Sequence, residues 1–221
     1  MDESVGGAQT GAARWLCVHD DLLRGLTHAL SNRVGSISAV SYLLEMQPAS
    51  VVTSTAALRE ESERLDMLLQ HVRLLPHRAD AAAEPVVPTD TTSQAMALQS
   101  YHPDARDINT VVTLDGDLQA AYADPAALAM AVTVILGAAQ RAIDGRGRVE
   151  ITISCSTESV QIAARGRRAD GVLGETDADT TRDVLAVNWL LARFGGSGAA
   201  GNGGATVVIP TLQAARRTQR D

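Results

Sequence analysis

Cysteine is scarce in this chain, which has two cysteines among 221 residues. Cys17 and Cys155 lie far apart and match no metal-ligand spacing, so we expect free thiols in a reducing compartment. The longest apolar run, residues 126–139, is shorter than the roughly 20 residues that a membrane-spanning helix needs. No secretory signal precedes Trp15. These absences predict a soluble, cytoplasmic protein with no membrane partner.

A basic excess is also missing. The formal net charge is -7 at pH 7, whereas proteins that bind phosphate backbones normally carry a basic excess or a basic stripe. Nucleic acid is therefore not an expected partner, while an acid-rich surface leaves protein partners open. The chain is 45% hydrophobic and 20% charged, which is enough apolar material to bury a core in one or two compact domains.

The first third of the sequence predicts two long helices. Residues 1–13 are rich in Gly and Ala and are expected to be disordered. Residues 14–47 contain no proline, and Pro48 then ends the segment as it would end a helix. A second helix is predicted over residues 54–75, where apolar residues recur every seven positions, at Leu58, Leu65 and Val72 and at Leu68 and Leu75.

Residues 14–77 are therefore predicted to form an antiparallel helical hairpin. A single hairpin leaves part of both apolar seams uncovered. Two copies that pair as a four-helix bundle would bury them, so we expect a homodimer through the hairpin.

The remaining sequence mixes helix and strand patterns. Residues 78–90 are predicted to be a linker, residues 91–212 a second domain, and residues 213–221 a polar tail. In the second domain Asp124 is predicted as the N-cap of a helix that begins at Pro125. The predicted elements are helices over 91–100, 125–143 and 181–194 and strands over 110–114, 148–155, 159–164 and 205–210. The fold class is therefore α+β, a helical hairpin followed by an α/β sandwich with helices on one sheet face.

His28 is predicted to point away from the apolar stripe of the first helix. At about 100° per residue, seven apolar residues of this helix cluster roughly 160° to 240° from His28, namely Leu16, Leu23, Leu26, Leu30, Val34, Ile37 and Leu44. Its own side carries short or polar residues, namely Asp21, Arg24, Gly25, Asn32, Gly35 and Ala39. This environment would leave the imidazole open to a docking surface, although an exposed histidine can also be merely solvated.

Residues 26–44 resemble the phospho-accepting box of bacterial sensor histidine kinases, with the sequence LTHALSNRVGSISAVSYLL. In that box the histidine is followed by an acid, then by Asn or Thr four residues on, then by proline. The resemblance implies that His28 is the phosphoacceptor and Asn32 the fourth-position amide. Ala29 and Arg33 stand where the family has the acid and the proline.

Three further segments resemble the same family in the same order. LREESERLDMLLQHVRLL is similar to the second helix of the dimerisation hairpin, and YADPAALAMAVTVILGAAQRAI to the first helix of the ATP-binding, GHKL-type domain. LAVNWLLARFGGSGAAGNGGATVVIP resembles the last helix and strand of that domain. The likeness covers residues 16–212, nearly the whole chain.

The resemblance also implies that the ATP-binding domain is degenerate. Gly137 falls where the family has its magnesium-binding asparagine, residues 165–168 are Arg-Gly-Arg-Arg where an adenine-reading aspartate should follow, and residues 180–183 replace the glycine-rich lid. Phosphoryl transfer from a nucleotide needs these parts. VILGAAQRAIDGRGRVEITI is similar to the corresponding segment of dimeric histidine phosphotransferases, which relay phosphoryl groups from receiver domains. No cofactor is expected on this chain, and Mg²⁺ is expected on the partner receiver.

The expected sites follow from this resemblance. His28 would exchange a phosphoryl group with a receiver aspartate, and Asn32 could orient a water molecule for phosphatase activity. Arg24 and Arg33 would attract the acidic rim of the receiver, with Gly25, Ala29 and Gly35 in the same docking surface. Two alternatives remain open, a non-enzymatic regulator that binds a receiver or a kinase, and an active kinase with an unusual nucleotide site.

Overall fold

The computed structural model describes residues 2–46, 51–75, 80–103, 108–143 and 147–218. Helices α1 (Asp2–Met46) and α2 (Val51–Leu74) form the predicted hairpin. The prediction of disorder over residues 1–13 is wrong from Asp2 onward, because α1 begins there and continues through the segment. Gly11 and Trp15 are buried by later parts of the chain, and tertiary packing of this kind overrides a glycine-rich composition. Pro48 lies outside the described residues.

The second part of the chain alternates strands and helices. Its elements are β1 (Glu84–Val86), α3 (Pro88–Gln99), β2 (Asn109–Asp115), β3 (Ala121–Ala123), α4 (Pro125–Arg141), β4 (Gly147–Cys155), β5 (Ser159–Arg168), α5 (Ala178–Leu191), β6 (Ser197–Gly201), β7 (Gly204–Pro210) and α6 (Leu212–Thr218). A short 3₁₀ turn, Ala192–Phe194, follows α5.

Five strands form one mixed sheet in the order β2-β4-β5-β7-β6. β2 runs parallel to β4, and the other neighbouring pairs are antiparallel. The hairpin between β4 and β5 was predicted from its alternating pattern, and its turn is closed by the Ser156 N–H donating to the carbonyl of Ser159 at 2.8 Å. β1 and β3 pair as a separate two-stranded ribbon.

Helix α4 supplies the centre of the core. Asp124 caps it by accepting a hydrogen bond from the Ala127 N–H at 2.9 Å, and Pro125 occupies its first turn, as predicted. Its buried side chains, which include Leu128 and Ile135, pack on the inward residues of β4 and β5. Those strands alternate buried and exposed positions, so helices cover one sheet face. The α+β prediction, a helical hairpin followed by an α/β sandwich with helices on one sheet face, is confirmed.

Several elements differ from the predicted ones. β1 and the first residues of α3 lie in the segment predicted as a linker, and α6 occupies most of the predicted tail. β3 and β6 were not predicted, because three residues are too few to show alternation and Ser197–Gly201 contains no branched or aromatic residue. No helix in the described part of the chain is long and apolar enough to cross a membrane.

Candidate functional site

Helix α1 has three distinct faces. Trp15, Leu22 and Leu26 lie on the face buried against the rest of the chain. Leu16, Leu23 and Val34 form an exposed apolar stripe. His28, Asn32 and Gly35 lie on a third, exposed face. At about 100° per residue, His28 is turned roughly 120° to 140° from the apolar stripe.

The His28 side chain is exposed in a shallow depression on α1. The other residues that line this depression all belong to α1, namely Asp20, Leu23, Arg24, Thr27 and Ser31. The nearby hydroxyls are already used, because Thr27 donates to the carbonyl of Leu23 at 2.7 Å and Ser31 donates to the carbonyl of Thr27 at 3.0 Å. Nothing from α2 or the α/β domain forms part of this depression. The imidazole is therefore accessible to a partner.

Asn32 lies one turn after His28 and is exposed. Its backbone carbonyl accepts a hydrogen bond from the Ser36 hydroxyl at 3.1 Å. Its side-chain amide makes no hydrogen bond to any residue that the structure describes. The amide is therefore available beside His28, where the sequence placed it.

Arg24 is exposed, and its guanidinium lies 3.4 Å from the Asp21 carboxylate. Asp21 also lies 3.7 Å from the His102 ring, in the turn after α3. Asp21, which helical periodicity places on the same side of α1 as His28, therefore contacts Arg24 on its own helix and His102 of the α/β domain. Arg24 stays on the open surface beside His28, as predicted.

Two of the predicted docking residues are not on the open surface. A Cβ at Gly25 would lie 1.6 Å from the carbonyl oxygen of Tyr101, so the chain itself covers this glycine. Ala29 is partly buried against the hydrophobic core. Gly35 does lie open, with nothing within 4 Å of an added Cβ. The sequence showed how these residues are turned on α1 but not which neighbour packs there.

Arg33 holds the hairpin together rather than standing free. Its guanidinium lies 3.2 Å from the Glu61 carboxylate on α2, which Arg64 also contacts at 2.7 Å. Burial opposes the charge of Glu61, but the hydrogen bonds from Arg64 and Arg33 outweigh it, so the pKa of Glu61 lies below its ordinary value. An arginine engaged in this way is only partly available to a receiver.

Sequence reasoning missed an apolar patch at the far end of the histidine face. Tyr42 and Met46 are exposed by 60% and 64%. Met46 follows His28 by eighteen residues, or about five helical turns, and therefore points in the same direction. Gly35 lies between them on this face. The eighteen-residue spacing is visible in the sequence and could have revealed the patch.

A separate cavity of about 410 Å³ lies between α1, α3, α4 and α5. Gly137, the position of the expected magnesium ligand, lies in its wall. An added Cβ there would be 3.6 Å from an Arg141 nitrogen, 3.7 Å from the Gln99 amide nitrogen and 3.9 Å from the Gln99 amide oxygen. A positively charged guanidinium group therefore faces the point where the expected ligand would bind a metal ion.

Ion pairs cross this cavity. Asp183, whose side chain is 1% exposed, accepts a hydrogen bond from Arg14 at 2.7 Å and also pairs with Arg141. Arg141 further contacts Asp177 at 3.2 Å. Burial opposes the charge of Arg141, but the two carboxylates outweigh it and raise its pKa. Burial likewise opposes ionisation of Asp177, but hydrogen bonds from Thr180 and the charge of Arg141 lower its pKa.

The segments where the resemblance led us to expect nucleotide motifs form ordinary secondary structure. β5 continues through Arg168, and Arg167 contacts Glu150 at 2.9 Å across the open sheet face. Thr180 lies in the first turn of α5, where its hydroxyl donates to Asp177 at 2.7 Å. Among the residues with described positions, no three His, Cys, Asp or Glu side chains are grouped to hold a metal ion.

Comparison with known proteins gives structural likenesses only, since no protein-family model and no curated protein matches the chain. A bacterial phosphotransferase is 13% identical, with a TM-score of 0.44 over 88% of this chain and 96% of that one. The histidine kinase AdeS of Acinetobacter baumannii is 12% identical, with a TM-score of 0.47 over 78% and 95% of the two chains. The ATP-binding domain of PrrB from Mycobacterium tuberculosis is 20% identical, with a TM-score of 0.44 over 58% and 97%. The solved structures that this chain resembles thus include a sensor histidine kinase, an ATP-binding domain and a phosphotransferase.

Proposed function

We propose that this chain is a histidine phosphotransfer protein, which passes phosphoryl groups between receiver-domain aspartates and His28 without using ATP. The observation that carries the proposal is the exposure of His28 on a face of α1 that no other described element covers. A partner can therefore bring its phosphorylated carboxylate to the ring. Reactive atoms must approach to about 3 to 3.5 Å for such a transfer.

The reaction needs little from this chain beyond the nucleophile. An unprotonated ring nitrogen of His28 attacks the phosphorus of the aspartyl phosphate, the nitrogen–phosphorus bond forms, and the bond to the carboxylate oxygen breaks. The aspartate leaves as a carboxylate, and the reverse reaction returns the phosphoryl group. The receiver supplies the magnesium ion and the acidic residues that hold it. A neutral imidazole already carries its lone pair, so the absence of an acid at Ala29 is tolerable.

The α/β domain gives a magnesium nucleotide no evident support. Mg²⁺ prefers oxygen ligands in near-octahedral geometry, but Gly137 offers no side-chain ligand, and the positively charged Arg141 guanidinium faces its position. Asp183, the most buried acid in the cavity, is already engaged by Arg14 and Arg141. The residues present therefore do not fit a magnesium nucleotide.

The histidine face also supplies a docking surface of mixed chemistry. Arg24 provides an exposed positive charge near His28, while Tyr42 and Met46 provide apolar area toward the hairpin end. Gly35 between them permits close approach. A partner that fits would present acidic groups around its phosphorylated aspartate and an apolar helix or loop beside them.

We further propose that the exposed apolar stripe of α1 forms the homodimer seam, together with Val51 and Leu69 of α2. Val34→Asp would place two carboxylates in this seam, and we expect dimerisation to weaken at least about 10²-fold. Sedimentation equilibrium measures the change. Met46→Asp is the matched control, because it adds the same charge on the histidine face and should leave the dimer intact. Equal effects of the two variants would contradict the proposed seam.

The relay is tested by incubating the full chain with receiver domains of its source organism, each phosphorylated beforehand with labelled phosphoramidate. We expect acid-labile label to move to this chain and to map to the peptide that contains His28. Tight receiver binding without transfer would instead favour a non-enzymatic regulator, the alternative suggested by the missing acid at Ala29. Micromolar nucleotide binding with Mg²⁺ present would contradict the ATP-independent mechanism.

A further inference from the structure

Helix α1 is much longer than its hairpin partner, with 45 residues against 24 in α2. The ion pair between Arg33 and Glu61 fixes the register of the two antiparallel helices. Leu74, the last residue of α2, therefore lies beside a point on α1 near residue 20. Upstream of that point, about 30 Å of α1 has no part of α2 beside it.

This first half of α1 packs on the α/β domain instead. A Cβ at Gly11 would lie 2.3 Å from the carbonyl oxygen of Leu185 on α5, so the two helix backbones are in close contact there. One turn later Arg14 pairs with buried Asp183, also on α5. Trp15, the next residue, is buried in the hydrophobic core. A close glycine contact and a buried ion pair thus join the two helices over successive turns.

A second contact lies further along the same helix. The Tyr101 carbonyl, in the turn after α3, sits directly over Gly25. Gly25 precedes His28 by three residues, or about 4.5 Å along the helix axis. The α/β domain thus contacts α1 at Gly11 and Arg14 and again at Gly25. Helix α1 continues from there without interruption into the hairpin that carries His28.

We propose that the hairpin and the α/β domain form one rigid body, joined by the shared helix α1, and that the domain keeps a fixed position beside His28. Gly11 and Arg14 act as positioning residues in this arrangement. The consequence for function rests on the proposed relay. A receiver domain that docks on His28 would always meet the same surface of the α/β domain beside it. The rigidity itself does not depend on phosphoryl transfer.

Pulsed electron paramagnetic resonance tests the rigidity in the full chain. Spin labels are attached at Ala39→Cys, on the exposed side of α1 that carries His28, and at Thr157→Cys in the β4–β5 turn, with Cys17→Ser and Cys155→Ser removing the native thiols. Labelled chains are diluted with unlabelled chains so that distances within one copy dominate. We expect one narrow distance peak, unchanged after phosphoramidate treatment. A broad or multiple distribution, or a shift on phosphorylation, would overturn the proposal.

Two substitutions then test the role of the first half of α1. Gly11→Leu combined with Arg14→Met should broaden the single narrow peak, because these two contacts with α5 are lost and the contact of the Tyr101 turn with Gly25 remains. Arg14→Met alone leaves Asp183 paired with Arg141, so the buried carboxylate keeps one ionic partner and the fold should persist. Gly6→Leu is the matched control, since nothing lies within 4 Å of an added Cβ there. A narrow peak that survives the double substitution would show that the proposed contacts do not position the domain.

Discussion

Replacing His28 by alanine is expected to reduce phosphoryl uptake from a phosphorylated receiver by at least about 10³-fold, because the substitution removes the nucleophile itself. The side chain is exposed on a helix, and alanine is the best helix former, so the fold should not suffer. Receiver binding should persist, because the surrounding docking surface remains. Acid-labile label on the chain and direct binding measurements report the two effects separately.

Two further variants make this result specific. His28→Gln keeps a polar side chain of similar size but no nucleophile, and it should lose uptake as completely as alanine. His19→Gln is the control, because His19 packs edge-on against Trp15 with ring centroids 5.8 Å apart and lies outside the histidine face. Retained uptake in both His28 variants would place the phosphoacceptor elsewhere and end the proposed mechanism.

Gly25→Ala and Gly35→Ala are expected to change stability in opposite directions. Alanine at Gly35 meets nothing within 4 Å, so its helix propensity should raise the free energy of unfolding by about 0.5 to 1 kcal/mol. Alanine at Gly25 would bring its Cβ to 1.6 Å from a backbone oxygen. Because a backbone turn cannot rotate away like a side chain, we expect a net loss of about 1 to 3 kcal/mol.

Urea unfolding followed by circular dichroism measures both variants on the same chain. The two substitutions are chemically identical, and both lie on α1 within three turns of each other, so helix propensity alone would make them equally stabilising. A stabilising effect at Gly25 would mean that the turn at Tyr101 does not pack on α1 as the structure shows.

The sequence predicted the architecture where local signals are strong. Asp124 before Pro125 predicted the start of α4, and the alternating pattern of β4 and β5 predicted their hairpin. The heptad residues Leu68 and Leu75 are buried, as a helical seam requires. These features depend on neighbours within one or two turns, so a single sequence contains the information.

The site was predictable only in part, for a geometric reason. Helical periodicity predicts that His28 points away from the apolar residues of α1, and the His28 side chain is exposed in the structure. Periodicity does not reveal which element packs on each side, so Gly25 and Ala29 were expected on a surface that the α/β domain and the core cover. Arg33 was expected in the docking surface, because periodicity within α1 does not show that Glu61 of α2 lies beside it.

The length of α1 also determines how this protein can be dissected. A fragment that ends after α2 would uncover Gly11 and Gly25, which the α/β domain covers, and a fragment that begins at residue 80 would uncover Asp183 and lose its Arg14 partner. Neither piece would retain its native contacts, because α1 packs both on α2 and on the α/β domain. Structural and biochemical work on either half therefore requires the whole polypeptide.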